Sequence, residues 1–126
     1  MSNEEFEQLV GQAIDNVPEP YGSRLQNIAF IVEDEPSLEQ RQKTGLHPYQ
    51  TLFGLYEGVP LPQRGGATKL LPDKITVFKN PILAAYPSKE AAKAQIFQTI
   101  WHEVAHYFGL NHKMIHEIES RSQNQH

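Results

Sequence analysis

The chain carries His102-Glu103-Val104-Ala105-His106, followed by Gly109 and His112, and no other feature constrains its fold as tightly. A helix turns about 100° per residue, so side chains four apart share a face, one turn apart. His102 and His106 therefore present both imidazoles to one side at metal-ligand spacing. Glu103 lies about 80° round from the midpoint of that pair, beside the metal position but turned away from easy ligation. Gly109 returns to the histidine face, where a side chain would obstruct. Glycine also tolerates positive φ, so the helix can end there and the chain can swing His112 round as a third ligand. Three imidazoles, His102, His106 and His112, leave a tetrahedral Zn²⁺ one open position, which is the catalytic rather than the structural arrangement. His116, Glu117 and Glu119 follow closely and compete for the third place.

The opposite side of the same helix is apolar. Phe97, Ile100, Trp101, Val104 and Phe108 fall within an arc of about 100°. Gln95 and Thr99 lie on the histidine side. Ser88, after Pro87, is placed to cap the helix start, giving a helix of roughly five turns with its back to a core and its front to a cleft.

At 126 residues, the chain is expected to form one domain over its whole length, 1–126. It has no cysteine, which excludes disulfides and any thiolate metal site. The acidic start Met1-Ser2-Asn3-Glu4-Glu5 lacks a signal-peptide core, and no apolar run approaches the ~20 residues of a membrane span. A net charge of -4 argues against a nucleic-acid surface. The expected setting is the cytoplasm, with neither nucleic acid nor membrane as partner.

Before the metal motif, Ser2 to Val17 reads as an amphipathic helix with a stripe of Phe6, Leu9, Val10, Ala13 and Ile14. Ser2 with Glu5 makes a capping box, and Pro18 and Pro20 stop the helix. Ile28–Val32 is a short apolar strand, followed by the acidic Glu33-Asp34-Glu35 of a solvated turn. Ser37 to Lys43 suggests one or two helical turns closed at Gly45; His47-Pro48-Tyr49 reads as loop. Thr51–Tyr56 is a second strand, in which Gly54 marks a close approach or a bulge. A long loop, 57–73, carries Arg64; Lys74–Lys79 is a third strand, ended by Asn80-Pro81. Ile82–Tyr86 leads into the metal helix, and the tail, Lys113 to His126, begins with Met114, Ile115 and His116, becomes polar and frays at its end. The order predicts an α+β fold: a small mixed sheet, an N-terminal helix and a C-terminal active-site helix, with helices mainly on one face.

The ligand motif resembles that of the zincin metallopeptidases, and its third histidine resembles the metzincin branch. The chain looks most like the small bacterial zincin-like metallopeptidases, which have a minimal domain. Leu55-Tyr56-Glu57-Gly58-Val59-Pro60-Leu61 and Leu71-Pro72-Asp73-Lys74-Ile75-Thr76-Val77-Phe78 resemble that family's other two recognisable blocks. The resemblance covers roughly the last two-thirds of the chain, and the helix motif is its most specific part. Two departures stand out. Metzincins place a methionine turn well downstream of the third histidine, whereas only 14 residues follow His112 and Met114 is too close to be equivalent. Many of the small relatives carry an acidic residue where His112 stands.

Motif and resemblance together imply a zinc-dependent peptidase acting on a peptide or protein. His102, His106 and His112 would hold Zn²⁺, and Glu103 would serve as the base that takes a proton from the attacking water. Candidate oxyanion donors are Tyr49, Tyr56, Tyr86, His116 and Arg64. The competing expectation is a zinc-containing binding or regulatory module without turnover, for which an intact Glu103 is unnecessary.

Overall fold

A computed structural model describes residues 1–45, 51–59 and 72–123, without the side chains of His112 and residues 121–123. Helix α1 spans Asn3–Asp15. The Ser2 hydroxyl caps it by accepting the Glu5 N–H at 3.1 Å, and Phe6, Leu9, Val10 and Ala13 form its buried stripe. The helix stops two residues short of Val17. Pro18 disfavours helical backbone in the residue before it, and the Asn16 side chain turns back to the Gln12 carbonyl at 2.9 Å.

A three-stranded sheet follows, from β1 (Ile28–Glu33), β2 (Gly54–Glu57) and β3 (Asp73–Phe78), in the order β1-β3-β2. β1 runs parallel to β3, from Ile28 opposite Asp73 to Glu33 opposite Phe78. β2 runs antiparallel to β3, from Gly54 opposite Val77 to Glu57 opposite Lys74. The sheet is mixed, as the element order implied. β3 is central, which accounts for its nearly unbroken buried run. β2 lies on the edge and starts later than the apolar run from Thr51 indicates, although Phe78 N–H still donates to the Phe53 carbonyl at 2.9 Å.

Helix α2 (Leu38–Lys43) has a complete capping box between Ser37 and Gln40 and closes at Gly45, with φ 68°. It is tied to β2 through Glu57. Gln40 Nε2 donates to Glu57 Oε1 at 3.2 Å, and Lys43 and Lys74 stand 3.4 and 3.7 Å from its two oxygens. Partial burial opposes ionisation of Glu57, but the Gln40 bond and the two lysines outweigh it and hold the carboxyl below its ordinary range.

Two helices depart from the sequence reading. The third strand does end just before Asn80-Pro81, at Phe78, but the expected lead from Ile82 into the metal helix is itself helical: Lys79–Ala85 forms α3, burying Ile82. Proline in the first helical turn gives up an N–H that has no intrahelical partner in any case. The polar tail likewise forms a helix, α5 (His112–Gln123). Asn111 caps it by accepting the Met114 N–H at 2.8 Å, and Ile115 is buried. The fraying expected at the C-terminus concerns residues 124–126, outside the described residues.

Between them lies α4 (Lys89–Tyr107), capped by Ser88, whose hydroxyl accepts the Ala91 N–H at 3.1 Å. It packs on one side against α1 and on another against β2 and β3. Ile96, Ile100, Trp101 and Val104 enter the core with Phe6, Leu9 and Val10 of α1 and with Ile75 and Val77 of β3. Phe97 and Phe108 stand at the margin of this core. No helix among the described residues is long and apolar enough to cross a membrane.

Candidate metal centre

One helical turn brings His102 and His106 together with ring centroids 4.6 Å apart and planes inclined at 70°. Glu103 is buried between α4 and β2, only 7% exposed. Its Oε1 lies 3.3 Å from His106 Nδ1 and accepts the backbone N–H of Tyr56 at 2.9 Å. One ligand atom from each of His102, Glu103 and His106 lies within 4.8 Å of the others. The bond to Glu103 raises the pKa of His106; burial opposes the rise, and the carboxylate charge adds to it.

Two glycines set this geometry. In the β2–β3 ladder, Phe53 and Phe78 form a hydrogen-bonded pair, so Leu55 and Glu57 also face β3. The backbone N–H and C=O groups of Gly54 and Tyr56 consequently point away from β3, which is why the Tyr56 N–H reaches Glu103. A Cβ at Gly54 would stand 2.4 Å from Thr99 Cγ2 and 3.2 Å from the Thr76 carbonyl oxygen. Only a glycine lets β2 come this close to α4, as its place in the strand suggested. At the other end of the motif Gly109 has φ 73°. Gly109 N–H donates to the His106 carbonyl at 3.0 Å and Leu110 N–H to the Ala105 carbonyl at 2.9 Å, the paired bonds of a Schellman turn. The chain leaves this turn and enters α5 at His112.

The expected site residues fall out unevenly. His102, Glu103 and His106 converge. The backbone of His112 begins α5, while its side chain, and with it the expected third ligand, lies outside what the structure describes. His116 and Glu117 are exposed on α5 and, like Glu119, are absent from the donor group found among the described residues. Tyr86 packs edge-on against Phe53 at 6.0 Å. Tyr49 and Arg64 lie outside the described residues. The Tyr56 N–H contact with Glu103 escaped the sequence reading, because a backbone donor leaves no mark on residue identity.

The three donors border a cleft of about 480 Å³ between β2 and α4. Thr44 closes one side, Leu52 and Phe53 another, and Gln95, Gln98 and Thr99 continue the helix face beyond His102. Two imidazoles and a carboxylate form a nitrogen and oxygen donor set that suits zinc and its first-row neighbours. The residues present therefore fit a divalent metal.

Mixed sheet, edge strand and histidine-bearing helix together make a zincin-type fold. The profile of the zincin-like metallopeptidase family matches residues 25–122, and the chain belongs to that family. Among solved structures, a conserved hypothetical protein from Thermus thermophilus superposes with a TM-score of 0.56 at 22% identity. The match covers 98% of this chain and 100% of that one, and it shows the fold alone. No curated protein matches the chain.

Proposed function

We propose that the protein is a zinc-dependent peptidase, with His102, His106 and His112 holding the metal and Glu103 serving as the base. The observation that supports this most is the position of Glu103: a buried carboxylate beside two imidazoles, in a cleft bordered by the edge strand β2. Zinc, when bound, would polarise the scissile carbonyl and make water acidic enough to attack near neutral pH. The rest falls to the chain's own groups. Glu103 takes the proton of the attacking water and delivers it to the departing amine, help typically worth ~10²–10⁴ in rate. Tyr56 N–H occupies one lone pair of Glu103 Oε1 and so orients the carboxylate. An extended peptide lies along the edge strand β2, with the outward N–H and C=O of Gly54 as backbone partners.

Glu103→Gln tests the assignment. The variant should retain zinc at wild-type stoichiometry, measured by metal analysis, and lose at least ~10²-fold in peptide turnover. Equal turnover removes Glu103 as the base. If a mixed peptide library shows no cleavage that a chelator abolishes, the protein is instead a zinc-containing binding module.

A further inference from the structure

Tyr56 meets the active-site helix through its backbone and a buried carboxyl group through its side chain. Its N–H donates to Glu103 Oε1 at 2.9 Å, and its hydroxyl donates to Asp73 Oδ2 at 2.6 Å. Asp73 is wholly buried at the start of β3. Its own N–H is fixed on the Asn27 carbonyl at 3.0 Å, where Asn27 adopts φ 55°. A carboxyl group so placed is costly unless hydrogen-bonded, and the short tyrosine contact supplies one such bond.

The surroundings close around this pair. A Cβ at Gly58 would stand 2.6 Å from Asp73 Cγ and Oδ1 and 2.9 Å from the Tyr56 hydroxyl. The chain beyond β2 thus folds down on the bond in a way only glycine permits. The Tyr56 ring also meets the ring of Tyr107 edge-on at 6.0 Å, one helical turn past Glu103. Tyr56 is therefore held at ring and hydroxyl while its N–H holds the carboxylate.

We infer that Tyr56 and Asp73 are positioning residues for Glu103: the Asp73–Tyr56 bond fixes the edge-strand N–H that sets the carboxylate's orientation in the cleft. The role in turnover rests on the peptidase reading above; the hold on Glu103 does not. Loss of the hydroxyl frees the tyrosine ring to shift, loosens the N–H contact and lets the carboxylate sample unproductive rotamers. Misplacement of a reacting group by an ångström costs up to ~10²-fold in rate.

Tyr56→Phe in the full chain tests this with two measurements. The first is hydrogen exchange of the residue 56 amide, which the bond to Glu103 should protect in the wild type. The variant should lose about fivefold in protection there, the size of one modest hydrogen bond, while the Ile75 and Val77 amides keep theirs. Tyr107→Phe, which removes a hydroxyl bonded instead to the Gln26 carbonyl, should leave the residue 56 amide unchanged. The second is kinetic: kcat should fall about tenfold with KM and zinc stoichiometry unaltered. An unchanged residue 56 amide in Tyr56→Phe overturns the inference, as does a rise in KM at constant kcat. If the wild type cleaves no peptide, the peptidase reading fails and the exchange measurement alone decides whether Tyr56 holds Glu103.

Discussion

Ile96, Ile100, Trp101 and Val104 point from α4 into the core, while Thr99, His102, Glu103 and His106 look onto the cleft. The first set is held by many small contacts, none of which depends on direction. The second is held by a few directional ones: a Tyr56 N–H, an imidazole nitrogen and a glycine-sized gap. Loss of a core contact therefore weakens the whole helix, whereas loss of a cleft contact misplaces one group and leaves the fold standing. The core face also contains a cost of its own, because the buried Trp101 Nε1 has no hydrogen-bond partner among the described residues.

The sharpest way to break this contrast is Trp101→Ala, which should lower unfolding free energy by about 3–5 kcal/mol in urea denaturation. Trp101→Phe should cost far less, since removal of the unsatisfied N–H offsets part of the lost volume. A loss under about 1 kcal/mol in the alanine variant would show that this face is not the one holding the helix. Gly54→Ala lies where the two faces meet. The added methyl must displace Thr99 or the strand, at a cost of about 1–3 kcal/mol, and should also lower kcat by drawing the Tyr56 N–H away from Glu103. Wild-type kcat in that variant would show that β2 need not press on α4 for the base to work.

The mildest effect is one of pH. The His106 pKa is raised above its ordinary value of about 6.5, chiefly by the Glu103 bond. In the metal-free protein this pair adds stability that is fully present below the unfolded-state pKa and fades as pH rises through the raised one. A metal competes with that proton, so zinc affinity should weaken as pH falls through the raised value, starting above 6.5. In Glu103→Gln the weakening should begin at lower pH, and titration with a chromophoric chelator would register the shift. An identical pH profile in the two proteins would remove Glu103 as the cause.

How far the sequence could be read follows from where each signal is encoded. His102, Glu103 and His106 were legible because a single helix fixes their relative directions, and Ser88 and Gly109 mark its ends. The mixed sheet was legible from element order. Helix α3 was hidden because Asn80-Pro81 reads as a stop, although proline fits a first turn. Helix α5 was hidden because, among its described residues, Ile115 and Ile118 supply the contact with the packed interior, and its start depends on the Asn111 cap. The edge-strand contact to Glu103 was the least accessible. It joins residues 47 apart through a group that every non-proline residue possesses.

The turn at Gly109 has a consequence for the second half of the motif. Its φ of 73° lies in the region natural to mirror-image amino acids. A D-alanine introduced there by chemical ligation would follow the same path, whereas L-alanine would add about 1 kcal/mol of strain at the point where α5 departs. Where His112 sets out is thus governed by the absence of a stereocentre at position 109, which lets the backbone take a mirror-image path there.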